Sequence, residues 1–200
     1  MAKITQNGRA LQMIFPAALC EAANIRAGDE YDLYSFGDVI SMRPATRSIA
    51  VHDDSFLQGT IYTVGYEGTT IDKFIYKLKI HGIEQIIDVR EIPLSRKKGF
   101  SKNALKGYLA DAGIDYIHMP ELGSPSVIRH RYKEGGSEYQ FFREYEDYID
   151  SNHPKDIELM ERYAAKCPSA LLCFEHSYVH CHRKILAEKL ADFGYKVVHL

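Results

Sequence analysis

Residues 60–90 read TIYTVGYEGTTIDKFIYKLKIHGIEQIIDVR, and three changes of rhythm within them decide the fold. Ile61 to Gly65 is short, apolar or β-branched, and closed by a glycine, which reads as a strand. Thr70 then opens a segment running to Gly82 in which Ile71, Phe74, Ile75 and Leu78 recur three and four residues apart, the spacing of one helical face. Residues 85–89 form a second apolar strand. A strand, a helix and another strand in about 30 residues make the crossover unit from which parallel sheets are built.

The alternation continues outward. A helix is predicted over 101–112, stopped by Gly113, and a third strand over 114–119. Residues 123–137 are rich in glycine and serine and read as a mobile loop, and two helices are predicted over 138–149 and 154–165. A fourth strand over 170–174, a helix over 181–193 stopped by Gly194, and a fifth strand over 196–200 complete the pattern. The predicted fold class is α/β, a mostly parallel Rossmann-like sheet with helices on both faces over residues 60–200.

Upstream the rhythm differs. Residues 10–15 are an apolar run ended by Pro16, residues 17–23 are helix-prone, and 30–35 with 39–43 suggest a hairpin about Phe36-Gly37-Asp38. This is a small β-rich module over 1–46, joined by a linker or extra strand over 47–59. About 45 residues without disulfides or metal bury too little surface alone, so the module is expected to dimerise or to lean on the α/β domain. Residues 1–58 carry 5 Lys/Arg against 7 Asp/Glu, and residues 59–200 carry 20 of each.

Composition excludes several classes. The chain has 200 residues, 46% hydrophobic and 26% charged, with a formal net charge of -2. It has the apolar content of a globular protein rather than of a disordered one, and no basic excess advertises nucleic acid. Its four cysteines, Cys20, Cys167, Cys173 and Cys181, are too few and too irregular for a disulfide scaffold, which points to a reducing cytoplasm. No apolar run approaches the about 20 residues that span a bilayer. The apolar stretch from Ala10 to Cys20 resembles a signal core only superficially, because Pro16 interrupts it and bulky Leu19 precedes the cysteine. A cytoplasmic, membrane-free protein is expected.

Chemistry is expected beyond the carboxyl ends of the strands, where open parallel sheets bind ligands. The predicted strands lead to Glu67, to Arg90, Ser95 and Arg96, to His118, and to Cys173, Glu175, His176, Cys181, His182 and Arg183. Arg90, Ser95, Arg96, His182 and Arg183 are candidates to bind an anion, since guanidinium forks match phosphate and carboxylate oxygens. The same arginines can instead pair with Asp88, Glu67 or Glu175 as a structural network. Glu67, His118 and Glu175 are candidates to move protons. Cys181 is a candidate nucleophile, because a helix start lowers a thiol's pKa, although free cysteines are commonly core residues; Cys173, inside an apolar strand, is a weaker one. The phosphatase spacing C-x5-R is absent. Ligand types crowd residues 173–182, but the spacing lacks the paired C-x2-C hooks of structural zinc, so no metal is assigned and the cofactor is left unknown. Arg129 to Lys133 read as a solvated charge run or a phosphate clamp. Phe141, Phe142, Tyr145 and Tyr148 read as core.

Two resemblances add to this. Residues 61–200 resemble the family catalogued as domain of unknown function 488, through Thr63-Val64-Gly65-Tyr66-Glu67-Gly68, Asp88-Val89-Arg90, Pro93-Leu94-Ser95-Arg96, Phe100, Gly113-Ile114, Tyr116, His118, Leu122-Gly123, Leu172-Cys173, Glu175 and Cys181-His182-Arg183. The resemblance implies an α/β fold with its polar motifs at one site and implies no reaction. Residues 3–44 resemble an AbrB/SpoVT-like swapped-hairpin module, through Asn7-Gly8-Arg9, Ile14-Phe15-Pro16, Ala23-Asn24-Ile25, Gly28-Asp29 and Met42-Arg43-Pro44. That resemblance implies a homodimer, with Arg9 at a DNA-contacting position. Cys20-Glu21 stand where DNA-binding members often carry basic residues. The expectation is an enzyme acting on a small anionic, phosphorylated or nucleotide-like substrate and dimerised by residues 3–44; the alternative is a DNA-binding regulator whose α/β domain senses a small ligand.

Overall fold

The computed structural model describes residues 59–200 throughout and, before them, residues 3–7, 10–14, 16–22, 26, 31–36 and 39–44. The chain divides into two compact units, Met1–Val51 and His52–Leu200.

In the first unit, β1 (Lys3–Asn7) and β2 (Ala10–Ile14) pair antiparallel, with Asn7 opposite Ala10. Helix α1 (Ala17–Ala22) begins directly after Pro16, a residue whose fixed φ suits a helix entrance. Strands β3 (Tyr31–Phe36) and β4 (Val39–Pro44) form a second hairpin, with Phe36 opposite Val39. Strand β1 was not legible in the sequence, because KITQN offers one apolar residue and no alternation. Arg9 and the segment 47–58 lie outside the described residues.

The second unit runs β5 (Gly59–Gly65), α2 (Ile71–Ile80), β6 (Gln85–Asp88), α3 (Lys102–Asp111), β7 (Asp115–His118), a single 3-10 turn (Pro120–Leu122), α4 (Ser126–Lys133), α5 (Glu138–Asn152), α6 (Pro154–Ala164), β8 (Ser169–Cys173), α7 (Arg183–Asp192) and β9 (Tyr195–His199). The five strands are all parallel in the order β7-β6-β8-β5-β9. Every residue of β6 (QIID) and β8 (SALLC) is buried, as expected of strands covered on both faces. Alternate residues serve opposite layers. Val64, Ile86, Ala170 and Leu172 pack against Phe74 and Leu78 of α2 and Leu105 and Leu109 of α3. Ile61, Ile87 and Leu171 pack against Tyr145 and Ile149 of α5, Met160 of α6, and Leu186 and Leu190 of α7.

Local signals set the element ends. The Thr70 side chain accepts from the Lys73 N–H and caps α2, and Gly82 takes the positive φ that ends it. One expectation is corrected: residues 123–137 are not one loop, since α4 occupies Ser126–Lys133. The helix packs through Tyr132 on Phe141 of α5 (ring centroids 5.1 Å apart), and α4 has no fully buried residue, so it left no apolar stripe to read.

The strand order positions the site. The connection from β6 runs outward to β7, while that from neighbouring β8 crosses β5 to reach β9. The chain therefore diverges beyond the carboxyl ends of β6 and β8 and opens a crevice there.

Candidate functional site

Two strand ends place charged groups by the same rule. Residues two apart in extended chain point the same way, so Asp88 and Arg90 meet beyond β6, and Cys173 and Glu175 meet beyond β8. Asp88 is fully buried and receives Arg90 Nε at 2.8 Å on Oδ1 and Arg90 Nη2 at 2.5 Å on Oδ2. The Tyr116 hydroxyl donates to Asp88 Oδ2 at 2.6 Å. Arg90 Nη1 donates to the Tyr66 hydroxyl and the Phe100 carbonyl, each at 2.9 Å. Burial opposes the Arg90 charge, but Asp88 outweighs it and holds the guanidinium firmly protonated. Burial first, then Asp88, pushes the Tyr116 hydroxyl well above its ordinary range.

Beyond β8 lies a second cluster. Cys173 and Cys181 are 4% and 1% exposed. Glu175 Oε2 stands 3.0 Å from Cys173 Sγ and 3.2 Å from Cys181 Sγ, and His182 Nδ1 stands 3.8 Å and 4.0 Å from the same sulfurs. His182 Nε2 donates to the Val89 carbonyl at 2.9 Å, and Tyr145 packs edge-on against its ring. The thiols titrate as a pair. Hydrogen bonding from Cys181, with His182 alongside, holds Cys173 well below the usual thiol range against the effect of burial. Burial and the Cys173 sulfur push Cys181 well above it. Burial, then Cys173, raises Glu175, whose Oε2 is the shared partner of both sulfurs. Burial works against a charged His182, but the Cys173 sulfur and the Val89 carbonyl raise it.

The backbone around this cluster is tightly fixed. The N–H groups of Tyr66 and Glu67 both donate to the Phe174 carbonyl, and Arg183 donates to the carbonyls of Glu175 and His176 at 2.6 and 2.9 Å. The cluster floors an open cavity of about 340 Å³. Arg90, Ser95, Arg96, Lys97 and Arg129 contribute to its walls. A larger cavity, about 530 Å³, opens near Gln85 and Asp115 at the amino ends of β6 and β7, and has no comparable group of reactive side chains.

The family model described as Domain of unknown function DUF488 matches residues 70–190, more than half of the chain. The chain belongs to that family. No curated protein and no solved structure matches it.

Within the DUF488 segment, the structure separates the sequence-predicted residues into those on the cavity and those behind it. Arg90, Ser95, Arg96, Glu175 and His182 line it. Cys181 lies behind Glu175, and Arg183 is 1% exposed with Nη1 and Nη2 turned to backbone carbonyls. His118 accepts from Lys102 on Nδ1 and donates from Nε2 to the Arg90 carbonyl, so it braces the loop after β6. Glu67, just before the segment, is exposed and accepts from the His176 N–H. Arg129 pairs with Glu91 and Arg131 with Glu144, so the run on α4 is fixed by carboxylates. The expected lowering of the Cys181 pKa is corrected: burial and the neighbouring sulfur outweigh the helix start, and Cys173 takes the low value. Cys173 is also the thiol on the cavity. Its signal was present as the last residue of a strand, two positions from an acid.

Proposed function

We propose that the DUF488 unit is an enzyme acting on a small anionic substrate bound in the 340 Å³ cavity. One observation carries this reading: Arg96 lines the same cavity as Cys173, Glu175 and His182 and makes no ion pair or hydrogen bond among the described residues. The other wall cations have partners. Arg90 is held by Asp88, Lys97 donates to the Tyr66 carbonyl, and Arg129 pairs with Glu91. With Arg90 offset by Asp88 and Arg129 by Glu91, Arg96 and Lys97 face only the carboxyl of Glu175 along the cavity, a balance that favours an anion there. Arg96 binds the anion, and Glu175, with its raised pKa, exchanges protons at the floor.

The test is thermal unfolding at about 50 mM salt, where electrostatic binding is strong, against a panel of inorganic phosphate, nucleoside mono- and diphosphates, sugar phosphates and dicarboxylates. A panel member at 100 times its Kd stabilises the folded chain by about 2.7 kcal/mol. The expected rise in Tm is about 5–10 °C for a unit of this size. Arg96→Ala, at an exposed position, leaves the fold intact and weakens that ligand about 10- to 100-fold, the value of a charge-assisted hydrogen bond. Failure of the whole panel to move the wild-type Tm, or equal binding by Arg96→Ala, overturns the reading.

A further inference from the structure

We infer that Cys173, Cys181 and His182 bind one Zn2+ ion at the floor of the cavity. The two sulfurs and an imidazole nitrogen lie within 4.8 Å of one another, and all three residues are buried. The sulfurs stand 3.8 Å and 4.0 Å from His182 Nδ1. A tetrahedral zinc with bonds of about 2.3 Å to sulfur and about 2.0 Å to nitrogen sets those atoms about 3.6 Å apart. Both sulfur-to-nitrogen distances therefore exceed that spacing by only a few tenths of an ångström.

The histidine supplies an independent observation. Its Nε2 is 2.9 Å from the Val89 carbonyl, an acceptor only, so Nε2 carries the proton. Nδ1 is consequently the nitrogen turned to the two thiols, and it is the one a metal would take in place of a proton. Zinc-binding histidines almost always donate their other N–H to a carbonyl or carboxylate in this way, which fixes the tautomer and orients the ring. Thiolates with imidazole suit zinc rather than hard cations such as Mg2+ or Ca2+.

The missing C-x2-C hooks do not exclude a metal in this geometry. Structural zinc sites use closely spaced hooks because one short loop must supply them. Here the ligands come from the end of β8 and the entrance of α7, and Arg183 draws the intervening chain together through the Glu175 and His176 carbonyls. Cys173 and His182 line the cavity while Cys181 lies behind them. Three protein ligands with one side open is the arrangement of catalytic rather than structural zinc. Glu175 Oε2, 3.0 and 3.2 Å from the sulfurs, is near enough to take the fourth position or to hydrogen-bond a water there. The metal site stands on its own ligand geometry; its use on an anionic substrate rests on the function proposed for the cavity.

The experiment uses the full chain, reduced and stripped of metal by a chelator, then titrated with Zn2+ against a chromophoric competitor and with Co2+ by absorption. The expected result is one Zn2+ per chain at sub-micromolar Kd, with a thiolate-to-cobalt charge-transfer band and tetrahedral visible bands. Cys173→Ser and Cys181→Ser each weaken binding at least about 100-fold, beyond what loss of an outer partner costs, while Cys167→Ser does not change it. Serine at a buried thiol can loosen the fold, so X-ray absorption on zinc-loaded wild type supplies a second readout: two sulfur neighbours at about 2.3 Å and lighter neighbours at about 2.0–2.2 Å. Absence of sub-micromolar binding, a zinc shell without two sulfurs, or full affinity in both serine variants overturns the proposal. So does a Cys173–Cys181 disulfide that, once reduced, takes up no metal. Anion binding without zinc uptake defeats only the metal; zinc uptake without anion binding defeats only the anionic-substrate reading.

Discussion

Asp88→Ala is expected to destabilise the 59–200 unit by about 3–5 kcal/mol, the loss typical when one member of a buried ion pair is removed. The side chain of Arg90 is 6% exposed and that of Asp88 is inaccessible, so the guanidinium left behind cannot recover its hydration. Asp88 also accepts the Tyr116 hydroxyl and the Arg90 backbone N–H, and both donors lose their partner in the variant. Most single domains have only about 5–15 kcal/mol in total. The melting transition of the unit should therefore fall by about 6–20 °C, followed by circular dichroism. The size of the effect separates two roles for Arg90. If the pair is the keystone between β6, β7 and the Phe100 turn, Arg90→Met combined with Asp88→Leu regains much of the loss, because no charge is left stranded. If Arg90 were instead a free anion binder, Asp88→Ala would cost under about 1 kcal/mol, as for an exposed pair, and the structural reading would fail.

That pair shows how far the sequence could be read. The parallel layer was legible because burial on both faces turns QIID and SALLC into largely apolar runs, and because Ile71, Phe74 and Leu78 keep helical period. The edge rule for parallel sheets then brought Arg90, Arg96, Glu175 and His182 to one cavity. It could not say which of these groups face a ligand and which are engaged by neighbours. Arg183 and His118 end on backbone carbonyls, and no local pattern encodes an acceptor offered by a distant loop. The surroundings of the two cysteines were hidden for a related reason. Cys181 sits beside a helix start, a favourable local environment for a thiolate, but burial among Cys173 and Glu175 decides its proton affinity. Helix α4 escaped because glycines and serines at its ends dominate the composition of residues 123–137, while the helix itself hides no residue completely.

Gly65→Ala is expected to damage fold and site together. Gly65 ends β5 opposite Cys173, and a Cβ placed there meets the Glu175 carbonyl oxygen at 1.8 Å and its carbon at 2.6 Å. Both are backbone atoms, so no side-chain rotamer relieves the clash. The segment after β8 has to move, yet it is held by Tyr66 and Glu67 N–H donors and by Arg183. Overpacking of this kind costs about 1–3 kcal/mol and occasionally more, and the rigidity of the segment argues for the upper end. The displacement carries Glu175 away from the sulfurs of Cys173 and Cys181, so zinc and anion binding should weaken in the variant even where it remains folded. Gly107→Ala provides the contrast. It lies within α3, and nothing stands within 4 Å of its added Cβ; there the substitution should stabilise by about 0.5–1 kcal/mol through lower backbone entropy in the unfolded chain. Urea unfolding of the two variants beside wild type decides the matter. A Gly65→Ala chain as stable as wild type, with undiminished binding, would show that the close approach of β5 to the segment after β8 does not shape the cavity floor.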